Sequence, residues 1–130
     1  SIWDGIGLSM WLIGFGIEVV ADAQKTTFNS KPENLERWID EGLWARSRHP
    51  NYLGEILLWT GIALFGVSCF GGLEMIAWVS PIFIFILLTR ISGIPILDER
   101  ALAKWGDNPD YQHYRENTPA LVLGLRAPKK

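Results

Sequence analysis

The sequence predicts an all-α integral membrane helical bundle, with about three transmembrane helices and short interfacial or cytoplasmic helices. Three apolar blocks, residues 2–21, 52–70 and 73–89, each approach the roughly 20 residues that cross a hydrocarbon core of about 30 Å. All twelve lysines and arginines lie outside these blocks, in residues 25–48 or 90–130. The apolar residues are thus gathered as in a membrane protein.

The distribution of charge predicts the orientation of the bundle. If all three blocks span, both basic regions lie on one side, which the positive-inside rule makes the cytoplasmic one. The polar loops and the C-terminus are then cytoplasmic, and the membrane is the endoplasmic reticulum, another internal membrane or a bacterial inner membrane. Trp44 and other tryptophans near the block ends fit interfacial belts in the lipid bilayer. The net charge of −2 does not indicate a nucleic-acid partner.

The length of 130 residues predicts one domain, which we place at residues 1–125, followed by a basic tail at 126–130. The chain begins without an initiator methionine and shows no signal-peptide pattern, so we expect a fragment or processed product of a longer chain. The lone Cys69 and two histidines without ligand spacing predict neither an internal disulfide nor a metal site.

The first block contains a small-residue pair, Gly5 and Ser9, that would let another helix approach closely. At its end Glu18 and Asp22 stand four residues apart, so both carboxylates share one helix face. They are either solvated acids or hydrogen-bond acceptors for a ligand. In the polar stretch that follows, residues 32–39 predict a short interfacial helix, which is part of a lid or a plain connection.

The second block begins with an anion-binding pattern. Pro50 suits the first helical position, which predicts a helix start at His49 or Pro50. A helix start offers free backbone N–H groups and a partial positive charge, to which Arg48 and His49 add donors. Asn51 and Glu55 follow on one face, adding an amide and a carboxylate. The alternative is that the basic residues only anchor the helix among lipid headgroups.

The third block carries Arg90 inside an apolar run that continues to Leu97. A charge within the bilayer costs on the order of 2.5–3.5 kcal/mol, so Arg90 needs a partner. The candidates are a phosphate, Glu55, or the Asp98 and Glu99 pair. Gly93 and Pro95 predict a break in this helix, which then resumes to Trp105. Asn108-Pro109 begins a last polar element, with Tyr111 and Tyr114 as membrane anchors or ligand contacts, and Thr118-Pro119 ends it.

These residues together resemble a known family. The run Arg48-His49-Pro50-Asn51-Tyr52-Leu53-Gly54-Glu55, with Ala21-Asp22-Ala23-Gln24 before it and Arg90, Gly93-Ile94-Pro95, Asp98-Glu99, Tyr111 and Tyr114 after it, resembles the DUF1295 branch of the steroid 5-alpha-reductase-like membrane proteins. The resemblance covers nearly the whole chain and corresponds to the C-terminal part of longer family members.

The resemblance implies an NADPH-dependent reductase that acts on a carbon–carbon double bond of a lipophilic steroid-, enone- or fatty-acyl-like substrate. The implied cofactor-binding residues are Asp22, Arg48, His49, Asn51, Tyr52, Glu55, Arg90, Asp98 and, more loosely, Tyr111 and Tyr114. Asn51 and Glu55 match positions that hold the nicotinamide end, and Asp22 matches one that meets the nucleotide. The residues that activate the substrate ketone have no counterpart here, which implies missing N-terminal helices or partner subunits.

Two alternatives remain open at this point. Isoprenylcysteine carboxyl and phospholipid methyltransferases share a shorter Arg-His-Pro-x-Tyr-x-Gly pattern, and their S-adenosylmethionine would also suit Arg48 and Glu55. Asn51, the position of Glu55 directly after Gly54, and the upstream Asp22 motif favour the reductase. The second alternative is a non-catalytic membrane subunit or scaffold, although unused charges at bilayer depth would be costly.

Overall fold

The computed structural model describes residues 2–65 and 79–122. These residues are all-α, in agreement with the predicted fold class. The five α-helices are α1 (Ile2–Asn29), α2 (Pro50–Leu64), α3 (Val79–Ile86), α4 (Gly93–Trp105) and α5 (Pro109–Asn117). Two short 3-10 turns, Pro32–Asn34 and Gly42–Ala45, lie between α1 and α2, and a π-helical turn, Leu87–Ile91, joins α3 to α4.

Two helical stretches within the described residues are long and apolar enough to cross a membrane. They are α1, which contains the first predicted block, and the stretch Val79–Trp105, which overlaps the third block over residues 79–89. The start of the third block, residues 73–78, lies outside the described residues. The second block is helical over the 15 residues of α2. Its predicted continuation to residue 70, with Cys69 and the glycine pair at 71–72, lies outside the described residues.

Helices α1 and α2 pack backbone to backbone at two glycine pairs. A Cβ on Gly14 would lie 2.5 Å from the carbonyl oxygen of Gly54, and a Cβ on Gly61 would lie 2.5 Å from that of Gly7. Both distances are far below van der Waals contact, so side chains larger than hydrogen would force the helices apart. The close contact predicted at Gly5 is not one of these pairs. A Cβ on Gly5 meets nothing within 4 Å in the described part of the chain.

The C-terminal end of α1 carries a buried core. Helix α1 continues two turns beyond the predicted block, and Ala21 and Phe28 pack there with Ile39 and Trp44. The Trp44 indole N–H donates to the carbonyl of Ala21 at 3.0 Å, and only 4% of this residue is exposed. The assignment of Trp44 to an interfacial belt was wrong, because its indole fills the space between α1 and the following loop.

The connection from α1 to α2 is less helical than predicted. The helix expected over residues 32–39 is one 3-10 turn followed by residues without helical structure. The Asn34 amide there donates to the carbonyl of Phe28 at 3.0 Å. Gly42 has a φ of +63°, which favours glycine, and the next amide N–H, of Leu43, donates to Gln24 Oε1. This connection therefore folds back over the end of α1.

The break predicted at Gly93 and Pro95 occurs just before them. The π-helical turn ends at Ser92, whose φ of −124° and ψ of −51° depart from helical values. Helix α4 then begins at Gly93, and a Cβ on that residue would lie 2.8 Å from the carbonyl oxygen of Leu88. Pro95 falls in the first turn of α4, where its missing N–H leaves no hydrogen bond unmade.

Candidate functional site

A cavity of about 340 Å³ lies where the α1–α2 connection meets α4 and α5. The connection and the helix ends supply mainly basic and aromatic side chains to its wall. The lining residues are Lys25, Asn29, Leu35, Arg37, Trp38, Ile39, Trp44, Arg48, His49, Leu97, Asp98, Arg100, Ala101, Lys104, Trp105, Tyr111 and Tyr114.

The cavity wall has a strong excess of positive charge. Its cationic side chains are Lys25, Arg37, Arg48, Arg100 and Lys104, against the single carboxylate of Asp98. Arg37, Arg100 and Lys104 are exposed to solvent, and Arg48 is mostly buried. Such an excess raises the local concentration of anions, so the cavity suits a ligand with several negative charges.

Asp98 joins three elements through its carboxylate. Arg48 Nη1 donates to Asp98 Oδ1 at 3.1 Å, and His49 Nε2 lies 3.4 Å from the same oxygen. Arg115 Nη2 on α5 is 3.9 Å from Asp98 Oδ2. Since Asp98 is on α4 and His49 caps α2, these contacts fix the start of α2 against the other two helices.

His49 is neutral in this site at neutral pH. Burial lowers the pKa of its imidazole to about 4, although the neighbouring Asp98 opposes this shift. The contact between His49 and Asp98 is therefore a hydrogen bond that involves a neutral imidazole, and it is not an ion pair. The imidazole also stacks on Tyr52, with ring centroids 5.5 Å apart and planes inclined by 10°. His49 thus positions the first turn of α2 without adding charge to the cavity.

The loop before α2 is held by the segment after α5. The Arg48 backbone N–H donates to the carbonyl of Pro119 at 2.9 Å, and its Nε donates to that of Thr118 at 3.3 Å. Ser47, which is fully buried, donates its hydroxyl to the carbonyl of Leu121 at 2.8 Å. Arg48 therefore has a structural task in addition to lining the cavity.

Aromatic rings form one side of the cavity. Trp38 contacts Trp105 and Tyr111 edge-on, with centroid distances of 5.7 and 5.1 Å, and Trp105 lies 5.6 Å from Tyr111. Tyr114 donates its hydroxyl to the carbonyl of Trp44 at 2.7 Å. Burial raises the pKa of both tyrosine hydroxyls, so they are protonated at neutral pH.

The end of α4 holds the connection over the cavity. Trp105 donates its indole N–H to the carbonyl of Glu36 at 2.9 Å, and Lys104 Nζ lies 3.5 Å from that of Leu35. The Lys104 ammonium is also 4.9 Å from the centre of the Trp105 ring. These contacts hold the connection against α4, and its role as a lid stays a prediction.

Half of the residues implied by the resemblance line this cavity. They are Arg48, His49, Asp98, Tyr111 and Tyr114, which the structure brings together. The others, Asp22, Asn51, Tyr52, Glu55 and Arg90, lie outside its wall. Asn51, Tyr52 and Glu55 are half-buried in the first two turns of α2, and Asp22 is exposed on α1.

Arg90 has none of the carboxylate partners that its sequence context suggested, whereas a phosphate partner stays a prediction. It is exposed on the π-helical turn, and no carboxylate of the described residues lies within ion-pair distance of it. The pairing with Asp98 was wrong, because that carboxylate belongs to Arg48 and Arg115 instead. Helical periodicity places Asp98 two turns beyond Arg90 but does not show which neighbouring helix supplies the closer cation.

Several lining residues were missed from the sequence. They are Lys25, Arg37, Trp38, Arg100, Lys104 and Trp105. None of them belongs to a compact motif, and the chain folds them together from three separate segments. The one available signal was the basic and aromatic composition of the two polar regions. Within the described residues, no group of three or more histidine, cysteine or acidic side chains is placed to hold a metal ion.

Comparison with known proteins identifies the family. A family model described as a protein of unknown function, DUF1295, matches residues 1–118. An uncharacterized protein of Schizosaccharomyces pombe is 27% identical, with the match covering 69% of this chain and 32% of that protein. The chain thus spans about a third of the length of this curated relative. No solved structure matches. Because the family model covers most of the sequence, this helical membrane chain belongs to the DUF1295 family.

Proposed function

We propose that this chain is the cofactor-binding part of a membrane-embedded, NADPH-dependent reductase. Its substrate class would be a lipophilic steroid-, enone- or fatty-acyl-like molecule that is reduced at a carbon–carbon double bond. The observation that carries the proposal is the cavity with five cationic side chains, one carboxylate and an aromatic wall. The resemblance around Arg48–Glu55 supplies the reaction class.

The donor set of the cavity fits an anionic nucleotide. The exposed cations Arg37, Arg100 and Lys104 would hold phosphate groups, since charge-assisted hydrogen bonds to phosphate are strong. Trp105 and Tyr111 offer ring surfaces on which an aromatic base can pack. Cationic groups and aromatic rings are the two kinds of contact that a phosphorylated adenosine requires, which supports the proposal.

Asn51 and Glu55 lie outside the cavity, on the first turns of α2. We therefore assign the cavity to the phosphate and adenosine parts of the cofactor. The start of α2, with the Asn51 amide and the Glu55 carboxylate, is assigned to the nicotinamide carboxamide. NADPH supplies the hydride, while the protein binds the cofactor, orients it and excludes water.

The proposal includes the orientation and setting of the chain. The cavity lies among the basic segments, which the positive-inside rule assigns to the cytoplasm, where NADPH is available. Helix α1 and the stretch Val79–Trp105 would cross the bilayer of an internal or bacterial inner membrane. Because the chain covers 32% of its longer relative, further helices of a complete protein, or partner subunits, would form the substrate site.

The charge of the cavity favours NADPH over S-adenosylmethionine. NADPH carries a pyrophosphate and a further phosphate, whereas S-adenosylmethionine carries a sulfonium cation. The excess of cations around Arg100 and Lys104 attracts the first and repels the second. Two alternatives are left for a binding test to exclude. One is a methyltransferase, and the other is a non-catalytic scaffold.

A parallel titration tests the proposal. The full-length natural protein is reconstituted in nanodiscs, and its thermal stability is followed with NADPH, NADH and S-adenosylmethionine. A ligand at 100 times its dissociation constant stabilises by about 2.7 kcal/mol, which a melting curve resolves. We expect stabilisation by NADPH. Stabilisation by S-adenosylmethionine alone would support the methyltransferase, and no stabilisation by any of them would support the scaffold.

A further inference from the structure

The tip of the α1–α2 connection, residues 35–38, is a short loop pinned at both ends. The Asn34 amide is bonded to the carbonyl of Phe28 on one side, and Ile39 is buried in the core on the other. Between these anchors Leu35 is 69% exposed, and Glu36 and Arg37 are also exposed. The tip is thus attached to the core at both ends, and its outer side chains face solvent.

The contacts that hold the tip closed come from the end of α4. They are the Trp105 indole N–H to the Glu36 carbonyl and the Lys104 ammonium to that of Leu35. The Lys104 and Glu36 side chains lie 3.9 Å apart at an exposed position, where an ion pair adds little. Residues 34–37 also make main-chain hydrogen bonds. In the described structure, these bonds join them to other residues of the same connection and not to another helix.

Trp38 fills the aromatic side of the cavity from this tip. Its ring stands edge-on to both Trp105 and Tyr111, and the three rings form one cluster because Trp105 and Tyr111 also lie 5.6 Å apart. Its indole nitrogen is fully buried and has no hydrogen-bond partner among the described residues. An unpaired buried donor raises the free energy of the closed arrangement, so a competitor can displace this side chain more readily.

The size of the cavity also favours a movement of the tip. Its 340 Å³ lies at the lower end of the range of about 300–1,000 Å³ found for sites of drug-sized ligands, and a dinucleotide is a large ligand. With Trp38 in place, its ring occupies part of the space beside both Trp105 and Tyr111. Displacement of the tip would enlarge the cavity and expose both rings together.

We propose that Trp38 is an autoinhibitory plug, carried on the tip 35–38, which the aromatic base of the nucleotide displaces on binding. This inference rests on the proposed function, because it assumes a nucleotide in the cavity. The plug and the base compete for the same ring surfaces of Trp105 and Tyr111. The apparent affinity is then reduced by the fraction of molecules in the closed form.

The test measures NADPH binding to the full-length protein in nanodiscs by stopped-flow fluorescence and calorimetry. Trp38→Ala should increase the association rate constant and the affinity by about tenfold, as expected if about one molecule in ten is open in the wild type. Trp105→Phe keeps a ring and removes the bond to Glu36, so it should increase the association rate about threefold. Trp11→Ala, on α1 away from the cavity, is the matched control and should change neither value.

Inorganic pyrophosphate is the contrasting probe, because it has no aromatic ring. Its affinity should be the same in the wild type and in Trp38→Ala. Weaker NADPH binding by Trp38→Ala would overturn the plug and make Trp38 a binding residue. Equal NADPH binding by the wild type, Trp38→Ala and Trp105→Phe would overturn it as well. Absence of NADPH binding in every variant would instead refute the proposed function, and the plug with it.

Discussion

Arg48 and Asp98 are fifty positions apart in the chain, yet their side chains meet at 3.1 Å on the wall of the cavity. The pair is largely withdrawn from solvent, with 14% of the arginine and 21% of the aspartate side chain exposed. It connects the loop before α2 to α4, and through Arg115 it also reaches α5. A contact of this kind ties the cavity to the stability of the fold.

Asp98→Asn should destabilise the protein by about 1.5–3 kcal/mol, because the mostly buried Arg48 loses its charged acceptor. The measurement is denaturant unfolding in mild detergent, followed by circular dichroism. Glu99→Gln is the matched control, since Glu99 is exposed on the same helix. An effect of similar size in both variants would show that Asp98 has no special role.

Tyr114→Phe should cost about 1 kcal/mol, because the buried hydroxyl donates to the carbonyl of Trp44 at 2.7 Å. The same unfolding experiment reports the loss. Tyr111→Phe removes a hydroxyl for which the described structure shows no hydrogen bond, so its stability should remain near that of the wild type. The prediction fails if the two variants are equally stable.

The stability should fall as the pH is lowered from about 6.5 to about 4. Burial holds the pKa of His49 at about 4 in the folded protein, against 6.5 when it is unshifted. In this window the unfolded chain binds a proton that the folded chain does not, so acid favours unfolding. The neutral His49 contributes on the order of 1–3 kcal/mol to the free energy of unfolding, and this contribution is fully present above pH 6.5.

The check for this pH effect is a series of melting curves from pH 7.5 to 4.0 for the wild type and His49→Gln. The variant has no titrating ring, so its stability should decline less over the window. Other groups near His49, namely Asp98, Arg48 and Lys25, are present in both proteins and cancel in the comparison. Parallel declines would show that His49 is not the source of the acid sensitivity.

Gly54→Ala should destabilise the α1–α2 pair by about 1–3 kcal/mol, because the new Cβ would lie 2.6 Å from the carbonyl oxygen of Gly14. Gly16→Ala is the control, since a Cβ there meets nothing within 4 Å and alanine is the better helix former. Titration of sodium dodecyl sulfate into mild-detergent micelles measures both. An unchanged stability of Gly54→Ala would mean that α1 and α2 can move apart at this position without loss of stability.

Arg100→Gln should weaken NADPH binding by about 0.5–1.5 kcal/mol, since it removes an exposed cation from the cavity wall. Calorimetry at low and high salt should show a smaller difference at high salt, because screening weakens exposed charges. Lys31→Gln also removes an exposed cation, but one that does not line the cavity. The affinity of this variant for NADPH should equal that of the wild type. Equal losses in both would indicate a general charge effect.

The local features of the fold could be predicted from the sequence. Pro50 determined the start of α2 through its fixed φ, and Asn108 caps α5 by accepting from the Asp110 N–H, with Pro109 as the first helical residue. The break before α4 followed from Gly93 and Pro95. In each of these cases the physical cause lies within a few residues of its effect.

The tertiary contacts of the site could not be predicted in the same way. Asp98, which pairs with Arg48, was only one of the candidate partners of Arg90, because spacing along one helix says nothing about which helix packs beside it. Trp38 and Trp105 are far apart in the sequence and in no recognisable motif, so their contact emerges only when the connection folds back. Trp44 was assigned to the membrane interface because the contacts with the end of α1 that bury it are not visible in the sequence.

The hydrogen bonds from Ser47 and Arg48 to the carbonyls of residues 118–121 have a consequence for local unfolding. The middle of the chain and the segment after α5 cannot fray independently, because each satisfies the polar groups of the other. The loop before α2 and the end of α5 therefore open as a single cooperative unit, with one shared opening free energy. Loosening either segment in the cell would expose both to proteases at once.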